Sequence, residues 1–69
     1  MIEVFKTDVQ EKDQAMRLLD LLQNKFPESR INFDLQDCDR ILRVEGHDFK
    51  NEELIDTLQE HGFYCAVLE

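Results

Sequence analysis

Residues 40–69, RILRVEGHDFKNEELIDTLQEHGFYCAVLE, carry a strand, a helix and a second strand in thirty residues, and the first half of the chain follows the same plan. Leu42 and Val44 alternate with Ile41, Arg43 and Glu45, the two-residue period of a strand with one face buried more than the other. Gly46 ends that strand. After HDFK, Leu54, Ile55 and Leu58 recur at helical spacing while Glu52, Glu53, Asp56, Gln59 and Glu60 take the opposite arc. This predicts an amphipathic helix whose acidic start suits the helix dipole. The pair His61-Gly62 predicts a left-handed cap, and FYCAVLE is β-branched and aromatic enough for a last strand.

From the beginning of the chain, Ile2 and Val4 alternate with Glu3 and Phe5, which predicts a first strand with Ile2 and Val4 turned to the core. Between Val9 and Lys25, Ala15, Leu18, Leu19, Leu22 and then Phe26 keep the rhythm of a helix stripe, Met16 and Leu21 widen it, and Pro27 stops it. RINFDLQ alternates strictly, Ile31, Phe33 and Leu35 against Asn32, Asp34 and Gln36, and Asp37-Cys38-Asp39 turns it into the next strand as a hairpin. Strand, helix, strand, strand, helix, strand is the order of the α+β ferredoxin-like βαββαβ sandwich: a four-stranded antiparallel sheet with two helices on one face. The expectation is one such domain over residues 1–69, with the first and third strands central. Its core should take Ile2, Val4, Ala15, Leu18, Leu19, Leu22, Ile31, Phe33, Leu35, Leu42, Val44, Leu54, Ile55, Leu58, Cys65 and Val67. In that topology residues 7–11, 37–39 and 61–63 lie at one end of the molecule and His47 at the other.

Charge limits the partners. A formal net charge of −8, with no cluster of Lys or Arg, argues against nucleic acid and anionic membrane. No signal peptide and no apolar run of membrane length is seen, and two cysteines are too few for a disulfide framework. A cytoplasmic, reduced protein is the expectation.

The size, the element order and the closing run EELIDTLQEHGFYCAVLE resemble the heavy-metal-associated domain family, the fold of copper metallochaperones and of the soluble modules of heavy-metal transporting ATPases. The resemblance covers essentially the whole chain. It implies a soft-metal site of two cysteines in an MTCxxC motif at the end of the first strand, where thiolates suit Cu(I) or Zn(II). The matching segment here is Lys6-Thr7-Asp8-Val9-Gln10-Glu11, which puts Asp8 and Glu11 at the cysteine positions and keeps only the threonine. The resemblance therefore implies the family's fold without its signature chemistry, because two carboxylates suit a cuprous ion poorly.

Two readings of Asp8 and Glu11 stand side by side. D-x-x-E ahead of an apolar-periodic run is a helix capping box. Alternatively the two carboxylates, with His61 from the neighbouring turn, form a harder site for Zn(II) or Mn(II), as a carrier or sensor. Cys38 stands between two aspartates, where negative charge blunts a thiol's reactivity, and Cys65 reads as a small buried hydrophobe. There is no serine-base pair, phosphate-binding glycine loop or close carboxylate pair in an apolar setting. Neither catalysis nor a cofactor is expected.

The helix-free face of the sheet offers a different role. Alternation assigns it Glu3, Phe5, Asn32, Asp34, Ile41, Arg43, Glu45, Tyr64, Ala66 and Leu68. Phe5, Ile41, Tyr64 and Leu68 would form an apolar patch among charges, an interface for a protein partner or a second copy. A non-catalytic interaction module is the expected function.

Overall fold

The computed structural model describes residues 1–69 in the order β1 (Ile2–Thr7), α1 (Lys12–Lys25), β2 (Arg30–Asp34), β3 (Ile41–Glu45), α2 (Asn51–Glu60) and β4 (Cys65–Val67). The strands form one antiparallel sheet in the order β2-β3-β1-β4, the ferredoxin-like arrangement, with β1 and β3 central. Ala15, Leu18 and Leu22 of α1 and Leu54 and Leu58 of α2 share one buried cluster with Ile31, Leu42, Val44 and Cys65 of the sheet, so both helices cover the same face. Leu19, Phe33, Leu35, Ile55 and Val67 pack partly buried around it. No helix is long and apolar enough to cross a membrane.

The first strand has the opposite phase from the one its β-branched residues suggest. Phe5, expected on the free face, is fully buried in the core opposite Leu42 on one side and Val67 on the other, whereas Ile2 is 57% exposed and Val4 half-buried on the free face. The core-facing set is thus Glu3, Phe5 and Thr7. One aromatic ring at the middle of the sheet withdraws more apolar surface than either flanking aliphatic residue, and full burial of such a side chain is worth roughly 1.5–3 kcal/mol. The two polar residues of this set lie at the ends of the strand, where partners exist. Asn51 Nδ2 donates to Glu3 Oε1 at 3.0 Å, and the Thr7 hydroxyl donates to the Arg40 carbonyl at 2.6 Å. No buried side-chain nitrogen or oxygen lacks a hydrogen-bond partner.

Helix α1 also starts later than its periodicity suggests. The Val9 amide donates to the Thr7 hydroxyl at 3.2 Å, which holds residues 7–9 in a local turn, and fully buried Val9 plugs the core from that loop. Glu11 is then the N-cap, its amide bound to Gln14 Oε1 at 3.2 Å. The capping box is therefore Glu11 with Gln14, three residues after the expected Asp8 with Glu11. Phe26, at the C-cap of α1, continues the buried stripe of that helix as its spacing predicts, whereas Phe49 and Val9 enter the core from loops, where periodicity did not mark them. Gly46 is required by close approach: a Cβ there would lie 2.5 Å from Ser29 Oγ and 3.3 Å from its Cα. Gly62, at φ 86°, ends α2 in the left-handed region as expected.

Candidate functional site

Three loops meet beyond the carboxyl end of β1, and hydrogen bonds tie them together. The Thr7 amide donates to the Asp39 carbonyl at 3.0 Å, bringing the hairpin to the end of β1. Arg40, whose φ of 50° places it in the left-handed region, donates from Nη1 to the carbonyls of Leu35 at 2.9 Å and Gln10 at 3.4 Å. It clamps the hairpin and reaches the β1–α1 loop. On the other side the Tyr64 amide donates to Asp8 Oδ1 at 2.8 Å. Asp8 is therefore a latch between the β1–α1 loop and the entry to β4, a role that sequence spacing could not reveal because its partner is 56 residues away.

Asp8, Glu11 and His61 do not converge at this end. The only three His, Cys or carboxylate ligand atoms found within 4.8 Å of one another belong to Asp37, Cys38 and Asp39. His61 Nδ1 pairs with the Thr57 carbonyl at 2.9 Å, and its ring lines a groove of about 400 Å³ together with Gln14, Arg17 and Phe63. A guanidinium beside the imidazole opposes a cation there. The exposed trio in the hairpin is explained by the turn itself: Asp37 accepts from the Asp39 amide at 2.9 Å through Oδ1 and from the Arg40 amide at 3.0 Å through its carbonyl. Cys65 is the buried hydrophobe expected, and burial pushes its thiol up to about 12. It holds its proton at any physiological pH, which makes it a poor nucleophile or metal ligand.

The helix-free face of the sheet has a definite pattern once strand register is applied. Across β2, β3 and β1, one row reads Arg30, Glu45, Ile2 and the next Asn32, Arg43, Val4, with Leu68 joining Val4 through its amide to the Val4 carbonyl at 2.8 Å. A third row reads Asp34, Ile41, Lys6, Ala66. Alternation puts Tyr64 on the same side. The β1–β4 half is thus mostly apolar, with Ile2, Val4, Ala66, Leu68 and Tyr64 around one cation, Lys6, while the β2–β3 half carries most of the charge. Tyr64 and Leu68, predicted interface residues, are exposed at 51% and 38%. Ile41 lies on this face but is buried, with Lys6 and Asp34 as its cross-strand neighbours, so it floors the patch and presents little surface. Phe5 is not part of the patch; Val4 and Ile2 take its place.

Charge is unevenly divided over the molecule. The free face bears Lys6, Arg30 and Arg43 against Asp34 and Glu45, a slight positive excess on a chain of net charge −8. The outer arc of α2 exposes Glu52, Glu53, Asp56 and Glu60 without a single cation. Comparison of the chain with protein-family models, with curated proteins and with solved structures gives no match in any of the three.

Proposed function

We propose that the chain is a non-catalytic interaction module of metallochaperone-like architecture, working in the cytoplasm through the helix-free face of its sheet. The observation that carries this reading is the apolar run of exposed Ile2, Leu68 and Tyr64 with half-buried Val4, on a face that no element of the chain covers. Apolar residues clustered this way, with charges along one side, have the make-up of a docking surface whose core binds and whose rim orients. The local charge supports it: on a chain of net charge −8 this face escapes the general acidity, Lys6, Arg30 and Arg43 slightly outnumbering Asp34 and Glu45, which lets it approach an acidic protein. Asp8 supports the loss of the soft-metal site, since its carboxylate stands at a position matched to a cysteine and is spent on the Tyr64 amide.

Site-specific photocrosslinking in the source cell tests the reading. A photoreactive residue at Tyr64 or Leu68 is expected to give discrete adducts, and one at Asp56 on the outer arc of α2 to give none. Equal adducts from both faces, or none from the sheet face, would reject it.

A further inference from the structure

The edge strand β2 carries a second, independent recognition feature. It is a five-residue strand, RINFD, paired on one side only, with Arg30, Asn32 and Asp34 exposed on the helix-free face and Ile31 and Phe33 on the core face. Its charges are self-complementary under reversal. A two-fold axis through Asn32 would set Arg30 opposite the Asp34 of a second copy, and Ile31 opposite its Phe33, on both sides of the axis.

Backbone geometry admits this register. The Gly46 amide donates to the Met1 carbonyl at 2.9 Å, so alternation along the β1–β3 ladder turns the amides and carbonyls of Leu42 and Val44 toward β1. Those of Ile41, Arg43 and Glu45 are then turned to β2, where they meet Asp34, Asn32 and Arg30. The free edge is left with the amides and carbonyls of Ile31 and Phe33. In the two-fold register these are the residues that face each other, so four inter-chain hydrogen bonds form. Arg30 and Asp34 fall in the closer, non-hydrogen-bonded pairs, where side chains interact most strongly.

The surface beside this edge matches a second copy as well. An open groove of about 490 Å³ runs between α1 and β2, floored by Phe33 and Leu35 and walled by Met16 and Leu19. Met16 is 59% exposed, which is unusual in a helix stripe that otherwise covers the core. A two-fold axis normal to the sheet keeps all helices on one face and brings the two α1 helices together across this groove, Met16 toward its counterpart.

We propose that a second copy of this chain binds at the β2 edge, antiparallel and centred on Asn32, giving a continuous eight-stranded sheet with four helices on one face. This edge is distinct from the apolar β1–β4 half of the helix-free face. Sedimentation velocity over a concentration series up to about 1 mM, the weak end of specific association, tests it. The wild-type chain is expected to dimerise. R30D and D34R each place like charges opposite one another twice, and each alone is expected to dimerise at least about tenfold more weakly. The doubly swapped chain R30D/D34R, and an equimolar mixture of the two single variants, restore opposite charges at both positions and should recover the dimer. Asp56→Asn, on the exposed outer arc of α2 away from the β2 edge, should leave it unchanged. A wild-type chain monomeric throughout the series overturns the proposal, as do single variants that associate like wild type. A mixture and a swapped chain that both stay monomeric also overturn it, and this last result covers variants that merely misfold.

Discussion

Phe5 shows what a single residue decides. Its ring, opposite Leu42 and Val67 under the helices, sets the phase of β1 and thereby which side chains the helix-free face presents. Phe5→Ala should lower stability by about 3–5 kcal/mol, as for large aromatic truncations in cores, whereas Val4→Ala should cost under about 1.5 kcal/mol because its side chain is only half-buried. Denaturant unfolding of the two variants checks the assignment. Asp8→Asn should cost about 1 kcal/mol through the weakened bond to the Tyr64 amide, measured the same way. Cys65 predicts a pH dependence. Its folded pKa is raised from 9.0 to about 12, so the native state keeps a proton that the unfolded chain releases in that window. Stability attributable to it is constant below pH 9.0 and falls as pH rises through the window, with a slope of at most about 1.4 kcal/mol per pH unit. Comparing wild type with Cys65→Ala at pH 8 and at about pH 10.5 should show this added alkaline loss in wild type alone.

At the scale of elements, regular periodicity was legible and irregular contributions were not. RINFDLQ and the stripes of α1 and α2 announce their buried faces because several residues agree, and the structure buries Ile31, Leu18, Leu22, Leu54 and Leu58 accordingly. MIEVFKT contains two rival alternations, Ile2 with Val4 against Phe5 alone, and only the packing above the strand chooses between them. Val9 and Phe49 are buried from loop positions where no period exists to mark them, whereas Phe26 at the end of α1 follows its stripe into the core. The candidate site suffered most from this: Tyr64 and Leu68 were readable from alternation on β4, while the replacement of Phe5 by Val4 and Ile2 followed from the phase. Asp8 was readable as a helix-start residue but not as a latch, since the Tyr64 amide lies far along the chain. Between elements, Lys25 Nζ donates to the buried Thr57 hydroxyl at 2.9 Å, which in turn donates to the Glu53 carbonyl at 2.7 Å. Leu58→Ala, beside this strut and fully buried, should cost about 2–5 kcal/mol in thermal or chemical unfolding.

For the molecule as a whole, two helices shield one side of the sheet and leave the other as an apolar stripe beside a margin of mixed charge, on a chain that is otherwise strongly acidic. That asymmetry is the basis for reading the chain as an interaction module and for placing its work on β1 and β4. The most direct test is methyl-detected NMR of the labelled chain, recorded in buffer and then in lysate of the cell it comes from. The methyl resonances of Ile2, Val4 and Leu68 are expected to broaden or shift on transfer to lysate, while those of Ile55 in α2 on the opposite side keep their buffer positions. Uniform retention of all these signals, or changes confined to the helical side, would contradict the assignment of function to the helix-free face.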